Sequence, residues 1–335
     1  MTPDARPWRV LALAPLSERA VRGLLAPLGD AVSVTVPAAR DPDAVREALP
    51  GAEIVLGDWT ASLVLDAEAV RAAPGLLFVQ QPSVGVDGHD LAALTAAGVP
   101  LANTPGVSAK AVAEWCVAAA LALCRRLTAA DAAVRAGEWP QLGLGPRELG
   151  GARVGIVGFG PIGAACARLF GAFGCEVSYW SRRARPVGET AGAVYRDLDE
   201  LVAGSDVLVL VIALAEETRG LIGAEALARM PAGALLVNAA RGGVVDQAAL
   251  AGALSAGRLA GAALDVYATE PLPPDDPLRE TPGLLLSPHV AGVTAQATGR
   301  LLGVVLENLR AVVEGRPVVG VVNGLDPVVR RRPAS

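Results

Sequence analysis

Two series of short apolar runs, each run followed by a stretch of helical periodicity, leave this chain few folds to choose from. Between residues 8 and 101, WRVLALA, AVSVTV, AEIVLG, LLFVQ and VPLA read as strands. SERAVRGLLAPL, DPDAVREAL, DAEAVRAA and DLAALTAAG read as helices, several opening on Ser or Asp as N-caps. A long helix is predicted over roughly 108–137, ending near Gly137, followed by the Gly- and Pro-rich link QLGLGPRELGG. The second series has ARVGIVG, CEVSYW, DVLVLVIA, ALLVNAA, LAGAALDV and GLLLS as strands. Their uninterrupted apolar character is that of parallel strands buried on both faces. Last comes one amphipathic helix, 294–315, with no sheet expected after it. Packed back on the first half, it makes that domain discontinuous. The expected architecture is α/β, with two doubly wound parallel-sheet domains and a cleft between them. The domains are residues 1–103 with 290–335, and residues 104–289.

The 335-residue chain is long enough to bury two modest cores, and its 52% apolar and 19% charged residues describe a globular protein. A net charge of −5 gives no general attraction to nucleic acid or anionic membrane, so neither is expected as a partner. The run Arg330–Arg332 reads as a solvated tail. Asp4 and Arg6 precede only a short apolar run, unlike a signal peptide, and AVAEWCVAAALALC is too short to span a bilayer. A cytoplasmic location is expected. Cys116, Cys124, Cys166 and Cys175 match no zinc or CxxC spacing and read as small buried hydrophobes; no metal is expected. Lys110 is the only lysine, and no Gly-Lys pair exists, which excludes a P-loop and nearly removes Schiff-base chemistry.

VGFGPIG contains Gly158-x-Gly160-x-x-Gly163, with Pro161 and Ile162 inside it. With 38 glycines in the chain, chance alone supplies roughly half such a match, so the context decides. A strand pattern precedes the loop, and Ile162, Cys166, Leu169, Phe170 and Phe173 recur at helical spacing after it. Strand, tight turn and helix together present backbone N–H groups to a pyrophosphate. At the end of the next strand, YWSRR puts Ser181, Arg182 and Arg183 where a carboxylate usually meets the adenosine ribose. Without that carboxylate a 2′-phosphate is not repelled, and the arginines can bond to it. NADP is therefore expected over NAD, with NAD possible; the alternative is that the arginines only solvate a loop.

The chain has two histidines, so any His-based proton transfer uses His89 or His289. His289, in LLLSPHVAG, follows an apolar strand at the edge where ligands bind in open α/β sheets. His89 stands beside the N-cap candidate Asp90, which suits a helix-start role. Arg241 and Glu270 follow two other strands of the second series, in RGG and YATEPLPP.

VGIVGFGPIG, VNAARGGVVDQAAL, ALDVYATEPLP and SPHVAG resemble, in order and over nearly the whole chain, the D-isomer-specific 2-hydroxyacid dehydrogenases. The resemblance implies a Rossmann dinucleotide-binding domain joined to a flavodoxin-like discontinuous substrate domain. It implies that Arg241 binds the substrate carboxylate and polarises the keto oxygen. His289 would act as general acid in reduction, with Glu270 bonded to it and favouring its imidazolium. The backbone N–H groups of Val84 and Gly85, in QQPSVGVDG, would receive the carboxylate. Asp265 would contact the nicotinamide amide, although an Asp at a strand end can equally cap a turn. A homodimer is implied, with Trp139 in the region that forms it. Two departures stand out: Ala109 and Ala215 occupy positions where the family often has Thr. Each can cost a hydroxyl contact to the cofactor, which Ser108 can replace in the first case.

No Lys or Arg occurs from Ala72 to Ala109, which disfavours a phosphorylated substrate. Phosphite dehydrogenases place a lysine near Val84, and formate dehydrogenases pair Gln with the His, so both are disfavoured. The expected reaction is reduction of a small 2-oxo acid such as glyoxylate, hydroxypyruvate or a pyruvate-like acid to the D-2-hydroxy acid. Trp59 either lines the side-chain pocket or anchors its loop. The alternative of another class is a dinucleotide-sensing interaction protein resembling a corepressor on the same scaffold.

Overall fold

A computed structural model describes residues 6–60 and 62–331. The N-terminal segment read for targeting, including Asp4, and the basic residue Arg332 lie outside them. The chain forms two compact units, one of residues 1–107 with 295–335 and the other of residues 108–294.

In the first unit, β1 (Trp8–Ala12), β2 (Val32–Thr35), β3 (Ile54–Leu56), β4 (Phe78–Gln80) and β5 (Leu101–Ala102) form one parallel sheet in the order β2-β1-β3-β4-β5. Helices α1 (Glu18–Leu25), α2 (Pro42–Ala48), α3 (Ala67–Ala72) and α4 (Leu91–Ala96) alternate with the strands. Ser17, Asp41, Asp66 and Asp90 accept from backbone N–H groups at their starts, as N-cap residues do. One face of the sheet packs Val21 and Leu25 of α1 against Val10, Ile54 and Phe78. The other packs Val45, Val70 and Leu94 against Leu11, Val55 and Val79.

The second unit starts with α5 (Ala109–Cys124) and α6 (Leu127–Arg135). Here the single long helix expected over 108–137 is corrected to two. Arg126 takes a left-handed φ of 53°, which a continuing helix cannot hold. The carbonyl of Cys124, released at the break, accepts from the N–H of Arg147 in the following link. Seven strands follow: β6 (Arg153–Val157), β7 (Glu176–Trp180), β8 (Val194–Tyr195), β9 (Val207–Leu210), β10 (Leu235–Asn238), β11 (Gly261–Leu264) and β12 (Leu284–Leu286). All are parallel, in the order β12-β11-β10-β9-β6-β7-β8. The chain order reverses at β6–β9, the switch point where such sheets bind ligands. Edge strand β8 is too short to announce itself in the sequence. Helices α7 (Pro161–Ala172) and α5 cover one face, while α8 (Leu198–Gly204), α9 (Ala224–Arg229) and α10 (Gln247–Ser255) cover the other.

The last helix, α11 (Ala295–Glu314), buries Val305, Leu309 and Val312 in the core of the first unit. Asn308 there donates to the buried side-chain oxygen of Gln80, 2.7 Å away. The chain after α11 does add to the sheet, contrary to expectation: Val321 forms an antiparallel bridge to Ala102, covering the β5 edge. Arg331 is not a solvated tail residue either. Its guanidinium lies 4.3 Å from the centre of the Trp8 ring and 3.3 Å from the buried carboxylate of Glu53. Cys116, Cys124 and Cys166 are buried and unpaired, and Cys175 is partly buried and unpaired. Among the described residues no helix is long and apolar enough to cross a membrane.

Candidate active site

Three neighbouring strands carry the candidate residues. In β10, β11 and β12 the residues Asn238, Leu264 and Leu286 are in register, so their carboxyl ends align. Arg241 leaves the first, Asp265 and Glu270 the second, and His289 the third. The turn after β10 is held by Asn238, whose side-chain amide donates to the carbonyl of Arg241 and whose oxygen accepts from the N–H of Ala240. Gly242 sits so close to the next turn that a Cβ would collide with the carbonyl group of Tyr267. Glycine at this position lets the Arg241 and Glu270 turns approach one another.

Glu270 and His289 form a pair, with Nδ1 of the imidazole 2.7 Å from Oε2 of the carboxylate. A carboxylate only accepts, so the proton between them belongs to Nδ1 and leaves Nε2 as the nitrogen for proton transfer. Oε1 of Glu270 accepts from the N–H of Tyr267 at 2.9 Å. Burial works to raise the pKa of Glu270. The bonds from His289 and Tyr267, with the positive charge of Arg241, outweigh it and hold the carboxyl below its ordinary value.

His289 has a φ of 55°, uncommon for a residue with a side chain. Asp265, 1% exposed, holds the loop there. Its Oδ1 accepts from the Ser287 hydroxyl at 2.5 Å and the Val290 N–H at 2.8 Å, its Oδ2 from the Ala291 N–H at 2.8 Å. Its backbone carbonyl accepts from the N–H of His289. The Tyr267 hydroxyl adds bonds to the carbonyls of Leu264 and Ser287. Of the two uses the sequence left open for Asp265, the turn cap is the one these contacts display. Tyr267, Ser287 and Gly242 carried no separate signal, although RGG and SPH flank the residues they support.

At the glycine loop, Gly158 has a φ of 98°, and a Cβ there would lie 2.7 Å from the carbonyl oxygen of Val211. A Cβ on Gly163 would strike the carbonyl of Gly158, so its absence lets α7 pack on the turn. Gly160 meets nothing within 4 Å, which leaves the start of α7 open to a ligand. Pro161 occupies the first turn, Ile162 packs against the core, and no side chain caps the helix. The arrangement fits a dinucleotide pyrophosphate: backbone donors, a helix N-terminus and room for close approach. Beside it lies a hollow of about 220 Å³ lined by Phe159, Gly160, Pro161, Ala164, Arg185 and Glu189. Tyr179 stacks on Phe159 with ring centres 3.9 Å apart, and its hydroxyl accepts from the N–H of Arg185. Ser181 donates to the carbonyl of Arg183 at 2.7 Å, folding the turn, while Arg182 and Arg183 are exposed. Arg185, absent from the expected set, is the arginine that lines the hollow.

In the first unit, the loop after β4 is fastened through its carbonyls. Ser83 accepts from the N–H of Thr104, Val84 from the side chain of Asn103, and Gly85 from the hydroxyl of Ser83. Among the described residues no hydrogen bond engages the N–H of Val84 or of Gly85. Trp59 is 38% exposed.

A profile of the D-isomer specific 2-hydroxyacid dehydrogenase NAD binding domain matches residues 117–291. A glyoxylate reductase of Korarchaeum cryptofilum is 42% identical over 275 residues, covering 80% of this chain and 82% of that one. The chain belongs to the D-isomer specific 2-hydroxyacid dehydrogenase family. Within this family it is also 37% identical over 309 residues to a D-3-phosphoglycerate dehydrogenase of Mycobacterium bovis, covering 92% of this chain and 58% of that one. Among solved structures, a glyoxylate reductase from Paecilomyes thermophila superposes with a TM-score of 0.84 at 29% identity, covering 94% of this chain and 98% of that one. As a member of the family the chain is a nicotinamide-dependent dehydrogenase, and the residues 117–291 enclose the glycine loop, Arg241, Glu270 and His289.

Proposed function

We propose that this dehydrogenase reduces a small unphosphorylated 2-oxo acid of the glyoxylate, hydroxypyruvate or pyruvate kind to its D-2-hydroxy acid, with NADP(H) preferred over NAD(H). The observation that carries the reading is the Glu270–His289 pair in the field of Arg241. When bound, the nicotinamide supplies the hydride. Arg241 takes the acid's carboxylate and polarises its keto oxygen, which a planar guanidinium can do together. Nε2 of His289 donates a proton to that oxygen as it becomes a hydroxyl, and takes it back in the reverse direction. Glu270 keeps Nδ1–H oriented and offsets the charge of the protonated ring. Asp265 holds the His289 loop and, with its remaining acceptor capacity, meets the nicotinamide amide. Val84 and Gly85 offer their N–H groups to the carboxylate.

Similarity to phosphoglycerate dehydrogenases leaves a phosphorylated acid as the competing substrate. The absence of Lys and Arg from Ala72 to Ala109 argues against it. The preference for NADP is supported by Ser181 in place of a carboxylate, with Arg182, Arg183 and Arg185 around it. Unpaired cysteines support a cytoplasmic location. The exposed Leu127, Val134, Trp139 and Leu142 on and after α6 support a homodimer. The sensor alternative draws no support from the relatives, and the Arg, Glu and His set favours catalysis.

The decisive experiment presents glyoxylate, hydroxypyruvate, pyruvate and phosphohydroxypyruvate to the purified protein with NADPH and with NADH, following nicotinamide absorbance. Oxidation of NADPH with an unphosphorylated acid is expected. A preference for NADH would overturn the cofactor assignment, preference for the phosphorylated acid the substrate class, and no turnover with any pair the enzymatic reading.

A further inference from the structure

His89 lies in the first unit, outside the group that moves the proton, and its hydrogen bonds lead to the loop after β4. Nδ1 of His89 accepts from the N–H of Leu65 at 3.1 Å. Burial pushes the imidazole down to about 4, so it is neutral near neutral pH and carries a single N–H. With Nδ1 accepting, that N–H is on Nε2 and donates to Oε1 of Gln81, 3.0 Å away. Gln81 is 4% exposed, and Gly57 makes room for it, since a Cβ there would collide with the Gln81 side-chain oxygen. Receiving a hydrogen bond at Oε1 fixes which way the Gln81 amide faces. Its Nε2 then donates to the carbonyl of Asp58 at 3.0 Å and to the Ser83 hydroxyl at 2.9 Å. Ser83, its oxygen already accepting, donates to the carbonyl of Gly85 at 2.7 Å. The result is a one-directional chain of donors, His89 to Gln81 to Ser83 to Gly85, in which each bond sets the polarity of the next.

We propose that His89 is a positioning residue for substrate binding: through Gln81 and Ser83 it fixes the Gly85–Val86 peptide, and with it the loop whose Val84 and Gly85 N–H groups receive an incoming carboxylate. The proposal rests on the reading that this loop receives the acid's carboxylate. The loop is held by its carbonyls while the N–H groups of Val84 and Gly85 remain unengaged among the described residues. Each carbonyl shares its peptide plane with the N–H of the next residue. Thr104 and Asn103, by holding the carbonyls of Ser83 and Val84, set the N–H groups of Val84 and Gly85, and the donor chain holds the following plane, so that the loop cannot turn about Gly85. The chain of donors therefore acts on affinity for the acid and leaves proton transfer and dinucleotide binding alone.

The test uses His89→Asn, His89→Gln, Ser83→Ala and Val84→Pro in the full-length enzyme, with KM for glyoxylate, KM for NADPH, kcat and Tm measured on each. Asn places its oxygen near the Nδ1 position and keeps the bond from Leu65 while losing the donor to Gln81. Gln places its amide nitrogen near Nε2 and keeps that donor. His89→Asn and Ser83→Ala are expected to raise KM for glyoxylate about 5- to 10-fold, the worth of one internal hydrogen bond. KM for NADPH and kcat should hold, and His89→Gln should restore the acid KM. A KM for glyoxylate unchanged in both His89→Asn and Ser83→Ala would overturn the proposal, as would failure of His89→Gln to restore it. Should His89→Asn unfold, Ser83→Ala decides alone. Val84→Pro removes one of the receiving N–H groups. If it leaves the acid KM unchanged, the loop reading itself is wrong; if it raises KM while Ser83→Ala does not, only the donor chain is wrong.

Discussion

The imidazole Nδ1 of His289 lies 2.7 Å from the carboxylate Oε2 of Glu270, joining the ends of two neighbouring parallel strands. The contact gives each residue a separate consequence on mutation. His289→Ala removes the proposed proton donor and is expected to lower kcat for reduction about 100- to 10,000-fold. Glu270→Gln keeps a hydrogen-bonding group without its charge and should cost less, about 10- to 100-fold. In both variants NADPH binding, measured by fluorescence titration, should survive; near-normal turnover in His289→Ala would mean that another group delivers the proton.

Asp265→Asn replaces an acceptor by a donor in a site where every partner donates. Oδ1 holds two partners, so the amide nitrogen falls at the Oδ2 position and faces the N–H of Ala291. The expected loss is about 1–3 kcal/mol in chemical denaturation, with kcat falling because the His289 loop loses its anchor. Wild-type stability in Asp265→Asn would show that the carboxylate is not what holds the loop.

The glycines of the turn separate folding from binding. Gly163→Ala drives a methyl group into the carbonyl of Gly158 and should destabilise the protein by about 1–3 kcal/mol. Gly160→Ala meets no protein atom and has an ordinary φ of −88°. Its Tm should match the wild type while the Kd for the dinucleotide rises at least about 10-fold, because the methyl group occupies the approach of the pyrophosphate. Unchanged affinity in Gly160→Ala would place the pyrophosphate elsewhere.

Arg182→Ala and Arg183→Ala should each raise KM for NADPH about 10-fold and leave KM for NADH nearly unchanged, since only the former has a 2′-phosphate to lose. Arg185→Ala tests the hollow beside Gly160 in the same assay. Equal effects on both cofactors would assign these arginines to the structure of the loop.

Two groups are expected to weaken the fold as pH falls, over different ranges. His89 is held at about 4 by burial, against a smaller upward pull from Asp58, which is itself paired with Arg40. The unfolded chain takes up that proton near its ordinary 6.5, so it binds more protons than the folded one and stability declines between about 6.5 and about 4. The carboxyl of Glu270 is held below its ordinary 4.5, so its contribution is present above that value and lost below it. Denaturant midpoints across the acid range should therefore flatten first in His89→Gln and only at the lowest pH in Glu270→Gln.

Much of the candidate site was legible because its cues are local. Arg153–Val157, the turn at Gly158 and the helix from Pro161 declare themselves by residue spacing and by the one residue type that tolerates a φ of 98°. Strands β10, β11 and β12 are apolar runs, and the residue after such a run in a parallel sheet lies at the ligand-binding edge, which singled out Arg241, Glu270 and His289. The break at Arg126 was not legible, because a left-handed arginine is dictated by how the following link bonds to Cys124 and not by helix propensity.

The order of strands and helices, the glycine turn and which polar side chains follow the strand ends were determined by the sequence itself, since each depends on neighbours a few residues away. Tertiary structure alone decided that Asp265 caps the loop of His289 and that Arg331 closes on Trp8 and Glu53. It also decided that His89 faces Gln81. A carboxylate, a guanidinium or an imidazole can bond in many directions, and which partner it meets is set by the packing of segments far apart in the chain.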